Sequence, residues 1–159
     1  MHIMNKLCGG NNGKIIKVKF SVEDRDFECY VYDDGYWGIL KEMFLNRGYE
    51  YLPEFELKNF ENGIIVDAGA HVGIFSLTAS TFAKEVISIE AHPVNYRLLE
   101  INKIKNNCLN IIPINKALVG KEDQKIRIYE GDHSGGHSIL ERSRNKNYKV
   151  STITLKGII

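Results

Sequence analysis

Cysteine and proline are scarce in this chain, and long hydrophobic runs are missing. The three cysteines among 159 residues, Cys8, Cys29 and Cys108, stand far apart and form no CxxC pair, which favours free thiols in a reducing compartment. No stretch approaches the about 20 apolar residues of a membrane span, and residues 1–12 lack the apolar core of a signal peptide. These absences predict a cytoplasmic protein without a membrane partner.

The chain also has no large excess of positive or negative charge. The 21 lysines and arginines nearly balance 20 acids, so the net charge is +1 and no whole-chain field points to nucleic acid or an anionic membrane. A basic run of Arg142, Arg144, Lys146 and Lys149 has Tyr148 as its one interleaved aromatic residue and is interpreted as a solvated loop. We therefore expect no nucleic-acid partner. The 43% of hydrophobic residues fits one globular domain or two small ones.

The first 60 residues are predicted to form a small β-rich region. Apolar and basic residues alternate over 14–20, with Lys17 and Lys19 on the outward side, as in a half-buried strand. A second strand is predicted at 27–32, followed by a short amphipathic helix at 39–46.

From residue 61 to residue 159 the pattern changes to alternating strands and helices. Strands are predicted at 64–66, 86–89 and 110–119, and helices at 74–84 and 93–105. The first of these strands is a continuous apolar run, which predicts burial on both faces of a parallel sheet. This order is typical of the first half of a doubly wound, Rossmann-like α/β sheet. Further β-rich sequence follows at 125–129 and 149–155.

The second predicted helix has one apolar face. Val94, Leu98, Ile101 and Lys105 recur at intervals of three or four residues, which places them on one side of an α-helix. We expect this side to pack on the sheet.

A glycine-bearing turn, DAGAHVG, joins the first strand of this sheet to the first helix. Asp67, Gly69 and Gly73 define a DxGxxxG motif, in which glycine permits a tight turn and lets a ligand approach without a Cβ in its path. In open α/β sheets, ligands bind beyond the carboxyl ends of the strands. The alternative is a tight turn with a structural role only. The GxGxxG fingerprint fails because His71 stands where its second glycine belongs, which disfavours a nicotinamide oxidoreductase.

Glu90 ends the next strand, 21 residues after Gly69. A carboxylate at about this distance from the glycine turn reaches the ribose hydroxyls of an adenosine-containing ligand. It accepts two hydrogen bonds from a cis-diol, which an apolar or basic side chain does not do. Alone, Glu90 would be no more than an acid at a strand end. Together with the glycine turn, it predicts nucleotide binding.

Two segments resemble the FkbM-type S-adenosylmethionine-dependent methyltransferases. They are VDAGAHVGIFSL at 66–77 and IEAHPVNY at 89–96, and further matches lie at 117–120, at 135–138 and in a lead-in at 42–50. The resemblance covers residues 36 to 155. It implies a Rossmann-like class I methyltransferase sheet, and methyl transfer from S-adenosylmethionine to a hydroxyl of a small molecule or sugar.

The resemblance also assigns roles to residues of the two motifs. The backbone of Asp67, Ala68 and Gly69 would approach the cofactor's methionine part. The other turn residues, Ala70, His71 and Gly73, are further cofactor-binding candidates, with His71 expected to contribute an indirect hydrogen bond. Glu90 would hold the ribose, and Ala91 and His92 would lie next to the adenine. Asn115 and Lys116 are weaker candidates near the base.

The chain departs from the family at its C-terminal end. Lys156 and Gly157 stand where the family has two acids, and the chain stops before the fourth strand of the methyltransferase sheet. We therefore expect a truncated sheet whose first strand, 64–67, has an exposed edge that a second copy covers, which makes a homo-oligomer. The alternative to an enzyme is a non-catalytic, cofactor-binding remnant or an assembly partner.

His133 and His137 are the candidates for catalysis. They lie in the loop GDHSGGHS at 131–138, and histidine is the side chain best suited to take a proton from a hydroxyl acceptor at neutral pH. The alternative is a polar surface loop. No metal site is expected, because HxxxH converges on one ion only in a helix and the glycines argue against a helix. The segment 49–51, YEY, is a candidate for contact with the methionine carboxylate or, equally, for the core.

Overall fold

The structure, a computed structural model, describes residues 14–34, 38, 40–45, 48, 52–121, 124–139 and 146–158. Within these residues the chain forms a β-hairpin, a parallel sheet flanked by two α-helices, and a second, mixed sheet. None of the helices in these ranges is long and apolar enough to cross a membrane.

The N-terminal region is a hairpin of β1 (Ile15–Val22) and β2 (Arg25–Tyr32). The strands pair antiparallel, with Phe20 opposite Phe27, and the outward positions of β1 are exposed, as the alternating sequence predicts. The predicted helix at 39–46 is helical in its described part, with residue 40 in an α-helical conformation and Lys41–Leu45 in a π-helical turn. Turns of 3-10 helix follow at Pro53–Phe55 and Leu57–Phe60.

The central sheet has three parallel strands in the order β3-β4-β5. They are β3 (Ile64–Ala68), β4 (Glu85–Ile89) and β5 (Ile111–Ile114), connected by α1 (Ile74–Ala79) and α2 (Pro93–Lys105). This arrangement confirms the predicted Rossmann-like α/β fold with an N-terminal β region. The hairpin and the sheet share one hydrophobic core, in which Phe27 and Val31 join Leu77 and Leu98. The predicted division into domains at residue 60 stays a prediction.

The strand β3 is less buried than its apolar sequence predicts. It is the edge strand, since within the described residues it pairs with β4 alone, and Ile64 is 61% exposed. Burial on both faces is therefore wrong for this strand. That a second copy covers the edge stays a prediction.

The helix α1 is shorter than the 74–84 that the sequence predicts. It ends at Ala79, where the hydroxyl of Ser80 donates to the carbonyl of Leu77 and the hydroxyl of Thr78 donates to that of Ile74. Side-chain hydroxyls that bond to nearby backbone compete with the continuation of a helix.

The buried face of α2 agrees with the predicted one at Leu98, and Ile101 packs partly buried against the core, but the rest of the face differs. Asn95, Leu98, Leu99 and Asn102 are the buried residues, and Ile104 is 76% exposed. Asn102 is buried because its amide donates to the carbonyls of Tyr30 and Val72 and its oxygen accepts from the Tyr30 N–H. A fully bonded amide thus occupies the position that apolar spacing would give to a hydrophobic residue.

The segment predicted as one strand at 110–119 forms two. After β5 the chain bends at Asn115, whose amide donates to the carbonyls of Glu90 and Ala91. It then enters a second sheet of order β6-β8-β7, formed by β6 (Ala117–Leu118), β7 (Lys125–Tyr129) and β8 (Asn147–Ile153). Ile153 of β8 packs on Ile87 and Ile89 of β4, so the second sheet lies against the first. A 3-10 turn at Leu155–Gly157 follows.

Candidate functional site

A cleft of about 620 Å³ opens at the carboxyl ends of β3 and β4. Its other side is formed by β6 and by the loop 134–139 that follows β7. The position is the one at which open α/β sheets bind ligands, and the volume is that of a site for a small molecule or cofactor. Of the predicted cofactor residues, Ala68, Gly69, His71, Glu90, Ala91 and His92 line it.

The two glycines of the DxGxxxG turn have different roles. Both have a positive φ, +83° at Gly69 and +88° at Gly73. A Cβ placed on Gly69 would project into open space, because no atom lies within 4 Å of it. A Cβ on Gly73 would lie 3.1 Å from Cγ of Leu99. Gly69 therefore keeps the cleft open, whereas Gly73 lets the turn pack against α2.

Glu90 closes the bottom of the cleft and ties the two motifs together. It is 7% exposed, and its carboxylate accepts the N–H of His71 and the N–H of His92, both at 2.8 Å. Burial raises the pKa of Glu90 above its ordinary value, against the effect of these two donors. Each carboxylate oxygen accepts one backbone N–H, and the side chain of Asn95 also acts on this carboxylate, so part of its acceptor capacity remains for a ligand.

Asp67 lies behind the turn and does not line the cleft. Its carboxylate accepts the hydroxyl of Ser76 at 2.5 Å, and Ser76 also shares a hydrogen bond of 2.7 Å with Ser88. Burial raises the pKa of Asp67 to about 6. Ala70 and Gly73 are also outside the cleft lining. Their contact with a cofactor stays a prediction.

The opposite end of the cleft is built from aromatic rings. His92 is 1% exposed, stacks on His137 with ring centroids 3.8 Å apart, and meets the edge of Tyr148 at 4.7 Å. Burial lowers the pKa of His92 to about 3 and that of His71 to about 4. His92 is therefore neutral, and its 3.8 Å approach to the carboxylate of Glu130 is not an ion pair.

The two histidines predicted for catalysis lie in different places. His137 lines the cleft, whereas the exposed His133 does not, and its ring covers Gly136. The Nδ1 atom of His137 accepts the N–H of Gly131 at 3.1 Å, and burial lowers the pKa of this ring. In a neutral imidazole whose Nδ1 accepts a hydrogen bond, the ring proton is on Nε2. His137 is therefore not placed as a base, because its Nδ1 lone pair is used and its Nε2 is buried without a hydrogen-bond partner in the described part of the chain.

Two residues that position this loop were missed by the sequence analysis. The carboxylate of Asp34, directly after β2, accepts the N–H of Ser134 at 2.7 Å and its hydroxyl at 2.8 Å. The amide of Asn95 donates to the carbonyl of Ser134. The only local signal was that of a turn after β2, and nothing local connects a turn with a loop 100 residues away.

Other predicted residues add less to the site. Lys116 lines the cleft, while Asn115 holds the backbone at the end of β4. Within the described ranges, no group of three or more histidine, cysteine, aspartate or glutamate residues could hold a metal ion. The candidates at 49–51, together with Arg142 and Arg144, lie outside the described residues.

No protein-family model and no curated protein matches the chain. Among solved structures it resembles the M. jannaschii tRNA m1G37 methyltransferase (18% identity, 67% of this chain and 36% of that chain, TM-score 0.40). It also resembles Trm5b from Pyrococcus abyssi (17%, 69% and 34%, 0.41) and M. jannaschii TYW2 in complex with AdoMet (19%, 70% and 54%, 0.42).

The chain spans a third to a half of the length of these three proteins. The likeness concerns the fold alone, and no comparison supports the FkbM type in particular. Similarity at this level says nothing of what this chain binds or acts on.

Proposed function

We propose that the chain is an S-adenosylmethionine-binding methyltransferase domain of FkbM type that methylates a hydroxyl of a small molecule or sugar. The observation that carries the proposal is the pairing of Gly69 and Glu90 in one cleft. An open backbone position and a carboxylate with unused acceptor sites face the same volume at the strand ends.

The residues present fit the cofactor. Glu90 has acceptor capacity left for a ribose hydroxyl, and Gly69 leaves room beside the main chain for the amino-acid part. Ala91 lines the cleft where a base would lie, with the buried, neutral ring of His92 beside it. When bound, S-adenosylmethionine supplies a methyl group that is activated for displacement.

The remaining cleft residues would orient an acceptor. Lys116 adds a positive charge at the cleft, and the ring of His137 forms part of its wall. Alignment of the acceptor with the methyl group is the main requirement of such a displacement. His133, outside the cleft, keeps its catalytic role only as a prediction.

A second candidate function, cofactor binding without turnover, is favoured by one observation. The cleft contains no histidine that serves as a base near neutral pH. Burial depresses the pKa values of His71 and His92, and the lone pair of His137 is used by Gly131. A hydroxyl acceptor reacts faster with a base beside it, so this arrangement suits a binding module or an acceptor that needs no base.

Calorimetric titration with S-adenosylhomocysteine tests cofactor binding without knowledge of the acceptor. We expect Gly69→Asn to weaken binding at least about tenfold, because its side chain would project into the cleft. Asparagine tolerates a positive φ better than most residues, so the fold should be retained. The control is Gly120→Asn at another open position, where we expect unchanged affinity.

Equal affinity in the two variants would place the binding site elsewhere. Preference for NADH over S-adenosylhomocysteine would contradict the cofactor assignment. Turnover assays with labelled methyl donor and sugar acceptors then separate the enzyme from the binding module.

A further inference from the structure

The outward face of β7 and β8 is basic. Lys125, Arg127 and Lys149 are exposed on it, while Ile128 and Val150 point the other way into the core. The face is completed by Tyr129, Asn147 and Ser151, so its six positions include no carboxylate.

Two of the cations stand directly opposite each other. The antiparallel register pairs Arg127 with Lys149, and like charges in this relation are destabilising. Neither side chain forms an ion pair with any residue in the part of the chain that the structure describes. An acidic side chain at one of these two positions would stabilise the fold better than a second cation does. An anionic partner that contacts both side chains explains why two cations stand there.

The charge of the whole chain conceals this basic region. Residues 116–159 contain nine lysines and arginines and five acids, whereas residues 1–115 contain twelve and fifteen. The net charge of +1 therefore combines an acidic first part with a basic last part, and the expectation of no polyanionic partner rested on that sum.

We propose that this face binds single-stranded nucleic acid. Lys125 and Arg127 occupy alternate positions of β7, about 6.8 Å apart. Lys149 lies on the neighbouring strand β8, about 4.8 Å away. This spacing suits a row of phosphates. Tyr129 provides an aromatic ring, and Asn147 and Ser151 provide hydrogen-bonding groups. The strand face has no large apolar side chain that would enter a lipid surface.

The face also continues towards the cleft. A shallow depression of about 520 Å³ lies beside it, lined by Lys121, Gln124, Arg127 and Tyr129. Val119 and Ile139 belong both to this depression and to the cleft. A nucleic-acid strand bound to the basic face would thus reach the rim of the cleft over a length of a few nucleotides.

Fluorescence anisotropy with a labelled 12-nucleotide oligouridine tests the proposal, with no methyl donor present. In 50 mM salt we expect Arg127→Glu and Lys149→Glu each to weaken binding at least about tenfold. The control Lys84→Glu makes the same charge change at an exposed turn before β4 and should weaken binding less than about twofold. The logarithm of the association constant should fall with the logarithm of salt concentration with a slope of about −2 to −3, as for three or four phosphate contacts.

A stability measurement separates binding from folding. Arg127→Glu puts a carboxylate opposite Lys149, so its melting temperature should rise while oligonucleotide binding is lost. Three results overturn the proposal: equal weakening by the three variants, no binding of the wild type in 50 mM salt, or tighter binding of phosphatidylserine vesicles than of oligouridine. Because the assay contains no cofactor, none of these results bears on the cleft.

Discussion

The two ends of the cleft are built in different ways. The glycine side, residues 67–73 with Glu90, is formed by two short segments that each follow a strand of one parallel sheet. The histidine side, formed by His92, His137 and Tyr148, joins residues from the start of α2, a loop and β8. On the first side the backbone shapes the site, and on the second side long-range packing does.

This difference determines what each side can do. On the glycine side, main-chain N–H groups hold the buried Glu90 carboxylate in place, so an acceptor of hydrogen bonds faces the cleft with fixed geometry. On the histidine side, both ring nitrogens of His92 and Nε2 of His137 are buried without a hydrogen-bond partner in the described part of the chain. Buried polar atoms without partners cost free energy, and the two ring nitrogens of His71 on the glycine side are in the same state. The two sides therefore differ in the backbone donors that hold Glu90, not in the number of unpartnered ring nitrogens.

The largest effect is expected on the glycine side. Glu90→Ala would leave the N–H groups of His71 and His92 buried without an acceptor, and we expect a loss of about 2–5 kcal/mol in the free energy of unfolding. Urea denaturation measures it. Glu54→Ala, at an exposed position of a 3-10 turn, is the matched control and should change stability by less than about 0.5 kcal/mol. A similar small change in both variants would mean that Glu90 does not hold the turn.

An intermediate effect, dependent on pH, is expected on the histidine side. Burial gives His92 a native pKa of about 3, below the about 6.5 of the unfolded chain, so the unfolded state takes up the proton first as the pH falls. Between pH 7.5 and pH 5 this histidine alone should lower the free energy of unfolding by about 2 kcal/mol. His92→Phe should remove that loss. Urea denaturation at both pH values, for variant and wild type, gives the difference.

The groups around His92 do not change this sign. His137, Tyr148, Glu130, Lys146 and His71 face the ring or act on it, and all of them are present in both proteins. Any packing cost of the larger phenylalanine ring is measured at pH 7.5, where the wild-type histidine is neutral in both states. Parallel losses of stability in the two proteins would show that His92 is not kept neutral by burial.

The fold was predictable where the pattern is local. Strands β1, β2, β4 and β7, and the helix from Pro93, follow directly from alternation, apolar runs and a proline at the first helical turn. The glycine turn was predictable for the same reason, since a positive φ at Gly69 is a property of one position.

What failed depends on hydrogen bonds that form only in the folded chain. The buried face of α2 contains Asn102 because the hairpin offers it backbone partners 72 residues away, which the apolar spacing of the helix does not reveal. His137 was predicted as a base because its sequence context does not show that Gly131 uses its lone pair. Hydrogen bonds of the folded chain thus decided both outcomes. They satisfy the side-chain amide of Asn102, and they occupy the lone pair on Nδ1 of His137.

The smallest effect concerns the contact that holds the histidine side to the rest of the protein. Asp34→Ala removes the acceptor for both the N–H and the hydroxyl of Ser134, which frees one end of the loop that carries His137. We expect the free energy of local opening to fall by about 1.4 kcal/mol, so that the Ser134 amide exchanges its hydrogen about tenfold faster. Hydrogen exchange followed by NMR measures this.

The neighbouring Asp33 provides the control, because its side chain is exposed and the same substitution there leaves Ser134 bonded. Amides of the glycine side that bond to β4, such as that of Gly69, which donates to the carbonyl of Ile89, should exchange at the wild-type rate in both variants. His71 does not suit this comparison, because Asp34 and Ser134 act on its ring. If Asp34→Ala loosened Gly69 and Ser134 alike, the two sides would form one cooperative unit. The two sides of the cleft would then still differ in origin, one formed by local backbone and the other by long-range packing. They would not differ in stability.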